Sequence, residues 1–287
     1  METLTTKQKI FHFPLTKIIL GLIACLLIIN IGQFFAGKLL LQTSLDKDYR
    51  NLIKGIIVCG LALISYIDFF KYYEKRAITE LTIKGFAKNL IIGILIGAVL
   101  QSLTILVIYF NGDYRVLSVN PFSFIIIPLT IAFTAAIIEE ILVRGILFRI
   151  MEEKLGSYVA LIISALIFGA LHLANEHSTL LSALCIAIEA GLLLGAAFIY
   201  TRNLWFPIAI HFAWNFMQSG IFGAITSGNS KTNSLLVSKI QGSEFITGGE
   251  FGPEGSIQAV IFCSLAAIIL LALSQKENKI IKPYWKK

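Results

Sequence analysis

The chain has 287 residues, 56% of them hydrophobic and only 14% charged, with a mean hydropathy of +0.80 and a net charge of +7. Soluble globular chains carry about 25% charged residues, so these figures exclude a soluble domain and imply an integral membrane protein. The positive balance comes from lysine and arginine flanking apolar runs, without any RNA- or DNA-binding pattern, so the expected partner is a lipid bilayer and not a nucleic acid.

Runs of about twenty apolar residues predict an all-α, polytopic protein of eight membrane-spanning helices: Ile18–Leu41, Leu52–Phe70, Leu90–Phe110, Phe122–Ile150, Tyr158–Leu173, Leu180–Tyr200, Leu204–Ile225 and Ser256–Leu273. The polar, basic stretch Met1–Lys17 precedes the first run. That run is too long for a signal-peptide core and shows no cleavage site, so it is expected to stay as a helix. Tyr72–Lys88 is a basic connector too polar to span, expected to lie as an amphipathic helix at the interface. The Gly- and Ser-rich segment Thr226–Gly255 is the longest predicted loop. Counting basic residues with both termini inside places 16 Lys and Arg on the cytoplasmic side and seven outside, with Arg144 inside a span. That bias predicts cytoplasmic termini and a multi-pass protein of the cell membrane. One membrane domain is expected, divided into residues 1–119 (three helices and the connector), 120–260 (the part carrying the polar motifs) and 261–287 (the last helix and a basic tail).

The four cysteines, Cys25, Cys59, Cys185 and Cys263, fall in apolar segments and predict neither a disulfide framework nor a metal site. Gly93–Gly97 and Gly191–Gly195 have GxxxG spacing, read as ordinary close helix packing.

Polar residues inside spans carry the functional signal, because one acidic residue at a helix centre costs roughly 2.5–3.5 kcal/mol on insertion scales. Glu139 and Glu140 are adjacent in the fourth span, and Arg144 follows Glu140 at i, i+4. That spacing presents both side chains on one helix face as an ion pair. Glu139, about 100° around the helix, is less well placed to share the arginine and stays available as a general base. Phe168 and His172 repeat the same spacing in the fifth span, and His211 and Asn215 in the seventh. At 1.5 Å per residue, Glu139 and Asn215 lie about 16 Å from the cytoplasmic ends of their helices, His172 about 21 Å and His211 about 10 Å. These depths permit convergence on one internal site.

Glu-Glu-x-x-x-Arg, Phe-x-x-x-His and His-x-x-x-Asn, in this order on successive helices, resemble the CAAX protease and bacteriocin-processing (CPBP, or Abi) family, which includes the type II CAAX prenyl endopeptidases. Thr-Arg-Asn-Leu-Trp-Phe-Pro before His211 and Phe-Gly-Pro-Glu-Gly at Phe251–Gly255 also look like bacterial members. The resemblance covers about residues 120–260. It implies an intramembrane endopeptidase acting on a membrane-associated or lipophilic peptide or protein. By motif position, Glu139 and His172 would activate the attacking water, and His211 and Asn215 would stabilise the tetrahedral oxyanion. Glu140, Arg144 and Phe168 would support the site. The family is often labelled a metalloprotease, and His172, His211 and Glu139 could supply three zinc ligands; a metal-free mechanism uses the same residues, and both readings stay open. Glu189, in the sixth span, belongs to none of these motifs. It is expected to pair with Arg144 or a histidine, to line the cavity, or to face a water-filled opening. Two other classes remain, a proton-coupled transporter and a non-catalytic scaffold or immunity protein. The first predicts inverted repeats, which the sequence lacks; the second is weakened by the complete motif set.

Overall fold

The computed structural model describes residues 11–286. Of the basic N-terminal stretch, Lys7 and Lys9 lie outside the described residues. The helices follow the apolar runs: α1 (Pro14–Leu40), α2 (Lys47–Tyr73), α3 (Phe86–Phe110), α4 (Ile126–Glu140), α5 (Arg149–Leu171), α6 (Leu180–Ile186), α7 (Leu193–Thr201), α8 (Trp205–Asn215) and α10 (Ile257–Lys276), with the single turn α9 (Glu244–Thr247) before the last. Local chemistry sets several starts. Pro14 opens α1 with its pre-set φ. The Asp46 carboxylate accepts from Asp48 N at 2.8 Å ahead of α2. Thr179 and Ser182 cap each other reciprocally at α6.

Among the described residues, six helical stretches are long and apolar enough to cross a membrane, and they account for all eight expected spans but one. The stretch Phe122–Ala174, 53 residues long, holds the fourth and fifth spans together. It breaks at Gly156, whose φ of 76° and ψ of 167° suit only glycine. As one straight helix it would hold Glu139 and His172 about 50 Å apart, yet both line the same cavity. The chain therefore doubles back at Gly156. The remaining span, the seventh, is α8 with its π-helical continuation Phe216–Ile221, 11 and 6 residues long, just under the length of a full crossing. The protein is a multi-pass, mostly helical membrane protein.

The all-α polytopic fold stands as expected, with one addition and one correction. The addition is a small two-stranded antiparallel sheet, β1 (Tyr114–Val119) and β2 (Leu236–Ile240), pairing Tyr114 with Ile240 and Val119 with Leu236. It lies in two predicted loops, where membrane-scale windows see only the lack of a long apolar run. The 72–88 connector is not an amphipathic helix: between Tyr73 and Phe86 the backbone is irregular, and Glu80, only 4% exposed, is drawn inward by Arg76 and the Tyr66 hydroxyl. Gln101 on α3 is fully buried, with neither amide atom partnered among the described residues.

The helix ends meet in charge networks. Glu74 binds Lys17 at 3.0 Å and Arg76 and Arg149 at 2.8 Å. Burial alone would raise the Glu74 carboxyl, but these cations hold it below its usual range. At the same end Arg202 binds Glu152 at 2.5 Å, and the Ile281 carbonyl accepts from Ser157 N at 2.9 Å. These contacts gather the start of α1, the end of α2, the Gly156 turn and the C-terminal segment on one face, as the eight-crossing order requires. The β1–β2 ladder joins two connections that the same order places on the opposite face.

Gly93 and Gly97 face α8. A Cβ on Gly93 would meet Ala209 Cβ at 2.6 Å, and one on Gly97 would collide with the Ile210 carbonyl oxygen. The GxxxG spacing is thus packing, and its effect is to hold α8 close against α3. Gly97→Ala should lower the melting temperature in detergent by the equivalent of about 1–3 kcal/mol, the usual cost of overpacking. Gly60→Ala, where nothing lies within 4 Å of the added methyl, should leave it unchanged.

Candidate active site

The innermost element is an ion pair. Glu140 and Arg144 are 0% and 1% exposed, with Arg144 Nη1 donating to Glu140 Oε1 at 2.7 Å. Arg144 Nη2 donates to the carbonyls of Ala190 at 2.9 Å and Gly191 at 3.1 Å. Both ends of this contact sit in widened π-helical turns, Ile141–Phe148 and Ala187–Leu192, of the kind often found at functional sites. The guanidinium also lies over the Phe168 ring, 4.8 Å from its centroid, a cation–π contact. A single arginine thus joins the helices carrying Glu140, Phe168 and Glu189.

His211 meets this pair from α8. Its Nδ1 lies 3.1 Å from Glu140 Oε1, and its Nε2 lies 3.9 Å from Glu139 Oε2. The first is a hydrogen bond that a carboxylate can only accept, so Nδ1 carries the proton and Nε2 turns toward Glu139. The second distance is too long for a direct bond and suits a bridging water. His172 Nδ1 lies 2.8 Å from the Phe168 carbonyl, which again can only accept. This leaves the Nε2 lone pair of neutral His172 free. The Phe168 ring is the common neighbour, 4.7 Å from the His172 ring and 6.4 Å, edge-on, from that of His211.

Glu139, His172, His211 and Asn215 all line one cavity of about 1010 Å³. Its walls are largely apolar, from Leu22 and Leu26 of α1 to Leu142, Leu171 and Trp214. Glu139 keeps 36% of its side chain exposed there, while Glu140 is sealed behind it. The i, i+4 pairing thus separates the two carboxylates as the sequence implies: one neutralised, one open. Glu189 lines the cavity too and does not pair with Arg144, whose donors reach Glu140 and backbone instead.

Sequence reasoning missed the cavity's other polar wall. Thr226, Ser227, Asn229, Ser230 and Thr232 line it from the segment taken as a simple loop, together with Glu254. Glu254 is 1% exposed, accepts from Ser227 N, and receives Gln218 Nε2 at 3.0 Å. The available signal was a lone acid in Gly-Pro-Glu-Gly, where two glycines let the backbone turn a carboxylate inward.

Among the described residues, no three His, Cys, Asp or Glu side chains form a group able to hold a metal ion. The expected set of His172, His211 and Glu139 is not gathered as ligands, although the hydrogen bond at each Nδ1 leaves Nε2 free. As placed, these residues do not form a three-ligand zinc site.

A family model described as Type II CAAX prenyl endopeptidase Rce1-like matches residues 121–217, a span that contains every motif residue from Glu139 to Asn215. The matched span, about a third of the chain, is similar to the CAAX protease family. Among curated proteins, "Putative membrane peptidase YdiL" of Bacillus subtilis (strain 168) is 35% identical over 81 residues, 28% of this chain and 30% of that relative. The match spans less than a third of the relative's length. No solved structure matches the chain.

Two outcomes follow from this electrostatic arrangement. Arg144→Ala strands Glu140 in the interior, which should cost roughly 3–5 kcal/mol and lower the melting temperature in detergent; Glu140→Gln combined with Arg144→Met should recover much of that loss. The second outcome concerns Glu254, outside the spanning helices. Burial raises its carboxyl from 4.5 to about 7, against the opposing hydrogen bonds of Ser227, Gln218 and Trp214. A carboxyl raised on folding costs nothing below its unfolded value, costs progressively more as pH climbs to the folded value, and holds a constant cost beyond. Melting temperature should therefore decline from about pH 4.5 to about pH 7. Glu254→Gln should flatten that slope relative to the unmodified protein.

Proposed function

We propose that the chain is an intramembrane endopeptidase that hydrolyses a peptide bond in a membrane-associated or lipophilic peptide or protein, using a water activated by Glu139 and His172. The observation that carries the reading is the convergence of Glu139, His172, His211 and Asn215 on one large, apolar-walled cavity, within a segment similar to type II CAAX prenyl endopeptidases. Cavities of about 300–1,000 Å³ are typical of small-ligand sites, so a volume at the top of that range suits an extended peptide.

In this mechanism the Glu139 carboxylate takes a proton from the water as its oxygen attacks the peptide carbonyl carbon. His172 Nε2 accepts the water's second hydrogen and holds its lone pair on line. The oxyanion that forms is held by Asn215 Nδ2 and by His211 Nε2, protonated when it donates, with Glu140 fixing that ring from behind. Donors placed beforehand where charge will develop are worth most in a water-poor site. Collapse breaks the carbon–nitrogen bond, and Glu139 returns its proton to the departing amine. The products are a carboxylate and a free amino group.

Prenylated C-terminal peptides, peptide pheromones and bacteriocin leaders are substrates consistent with this chemistry. The bias of basic residues supports cytoplasmic termini in the cell membrane, which would place the Gly156 turn and the charge networks on the cytoplasmic face.

Glu139→Gln should lower cleavage by about 10²–10⁴-fold without altering the melting temperature, since Glu139 is partly exposed to the cavity. Asn215→Ala should lose about 10²–10³-fold with substrate binding nearly intact. Cleavage of a lipidated test peptide by purified protein, followed by mass spectrometry, reads both, and activity should survive prolonged chelation. Retention of more than a tenth of the activity in Glu139→Gln would remove that residue from the base role.

A further inference from the structure

Five acidic side chains of the described chain are fully buried: Glu80, Glu140, Glu152, Glu189 and Glu254. Three of them have an arginine partner, Arg76, Arg144 and Arg202 respectively. Glu189 and Glu254 form no ion pair among the described residues, and these two both line the cavity. The exception is therefore spatial: buried carboxylates are paired everywhere except where a ligand could reach them.

Their surroundings are arranged to match. Glu189 lies in the π-helical turn Ala187–Leu192, and its Oε2 is buried without a hydrogen-bond partner among the described residues. Glu254 is carried on the turn Pro253–Gly255, which packs against α6 directly ahead of Glu189; Cys185 Sγ and the Gly255 carbonyl lie 3.8 Å apart there. The Gln218 Oε1 and Thr226 Oγ1 atoms beside Glu254 are likewise buried and unpartnered. Arg144, the cation that reaches the same turn, is fully spent on Glu140 and the Ala190 and Gly191 carbonyls.

We propose that Glu189 and Glu254 form a cation-binding subsite of the cavity that receives a lysine or arginine side chain of the substrate peptide. This rests on the endopeptidase reading for the identity of the ligand. Leaving a charge buried and unpaired costs several kcal/mol, so an arriving ammonium or guanidinium supplies what the fold withholds. Spare acceptors on Glu189, Gln218 and Thr226 match the several donors of such a group. A fixed metal is the poorer occupant, because two carboxylates find no third ligating side chain. Burial holds the Glu254 carboxyl at about 7, so it ionises readily near neutral pH when a cation arrives. The subsite would select substrates by one basic residue set apart from the bond that is cut.

The test uses the full-length purified protein in detergent and a mixture of N-lauroylated octapeptide amides in which each position in turn carries lysine, norleucine or glutamate. Norleucine keeps the length of lysine without its charge. Retained peptides and cleaved products are both identified by mass spectrometry. Lysine should be retained at least about tenfold over norleucine at one position, and Glu189→Gln or Glu254→Gln should bring that ratio close to unity. Glu139→Gln should keep the lysine preference while losing cleavage. Equal retention of lysine and norleucine, no retention of any peptide, or a preference surviving in both glutamine variants would overturn the subsite. The lysine–norleucine comparison on the unmodified chain decides the matter even where a variant fails to fold. Lysine-selective retention without any cleavage would leave the subsite standing and defeat the endopeptidase reading instead.

Discussion

The constraint on which the rest of the site depends is that a carboxylate and a guanidinium are both sealed from water in the middle of the bundle. Each alone would carry a desolvation penalty of several kcal/mol, and neither is tolerated without the other. The pair does more than cancel charge. Arg144 has donors left over for the Ala190 and Gly191 carbonyls and a planar face for Phe168, and Glu140 has an oxygen left for His211. One ion pair thus fixes four helical segments relative to each other and orients the imidazole through the nitrogen that does not face the cavity.

From that anchor the division of labour follows geometrically. Adjacent glutamates on a helix point about 100° apart, so one can be walled in while its neighbour opens onto a cavity. Phe168 extends the same logic to the second histidine: its carbonyl fixes the tautomer of His172, and its ring separates the two imidazoles. Close contact between α3 and α8, permitted by Gly93 and Gly97, then brings His211 and Asn215 to the level of Glu139.

Much of this is legible in the sequence because membrane burial makes polar residues expensive and therefore informative. Helix count, the Glu140–Arg144 pair, the freedom of Glu139 and the shared location of His172, His211 and Asn215 all follow from runs of about twenty apolar residues and i, i+4 spacing. What escapes has no such period. The β1–β2 ladder pairs residues more than a hundred positions apart within short polar segments, and the irregular path around Glu80 is dictated by Arg76 and Tyr66 and not by a local pattern. Glu254 and its loop escape for the same reason, since a turn that folds back into a cavity looks like any other Gly-rich connection. The widened turns at 141–148, 187–192 and 216–221 are also invisible to a reading in steps of 3.6 residues.

The Gly156 turn has a consequence for the order in which the molecule is made. It is the joint between the arm bearing Glu139 and the arm bearing His172, and it is fastened by Ile281, whose carbonyl and amide both bond to Ser157 across 124 positions of chain. Synthesis runs from the N-terminus, so the two arms enter the bilayer long before their fastener exists. During that interval the hairpin has only its apolar contacts to hold it, and the histidine and glutamate are not yet fixed against each other. The final alignment of the reactive groups waits for a short tail beyond the last helix, which makes maturation of the site a late event in the life of the chain.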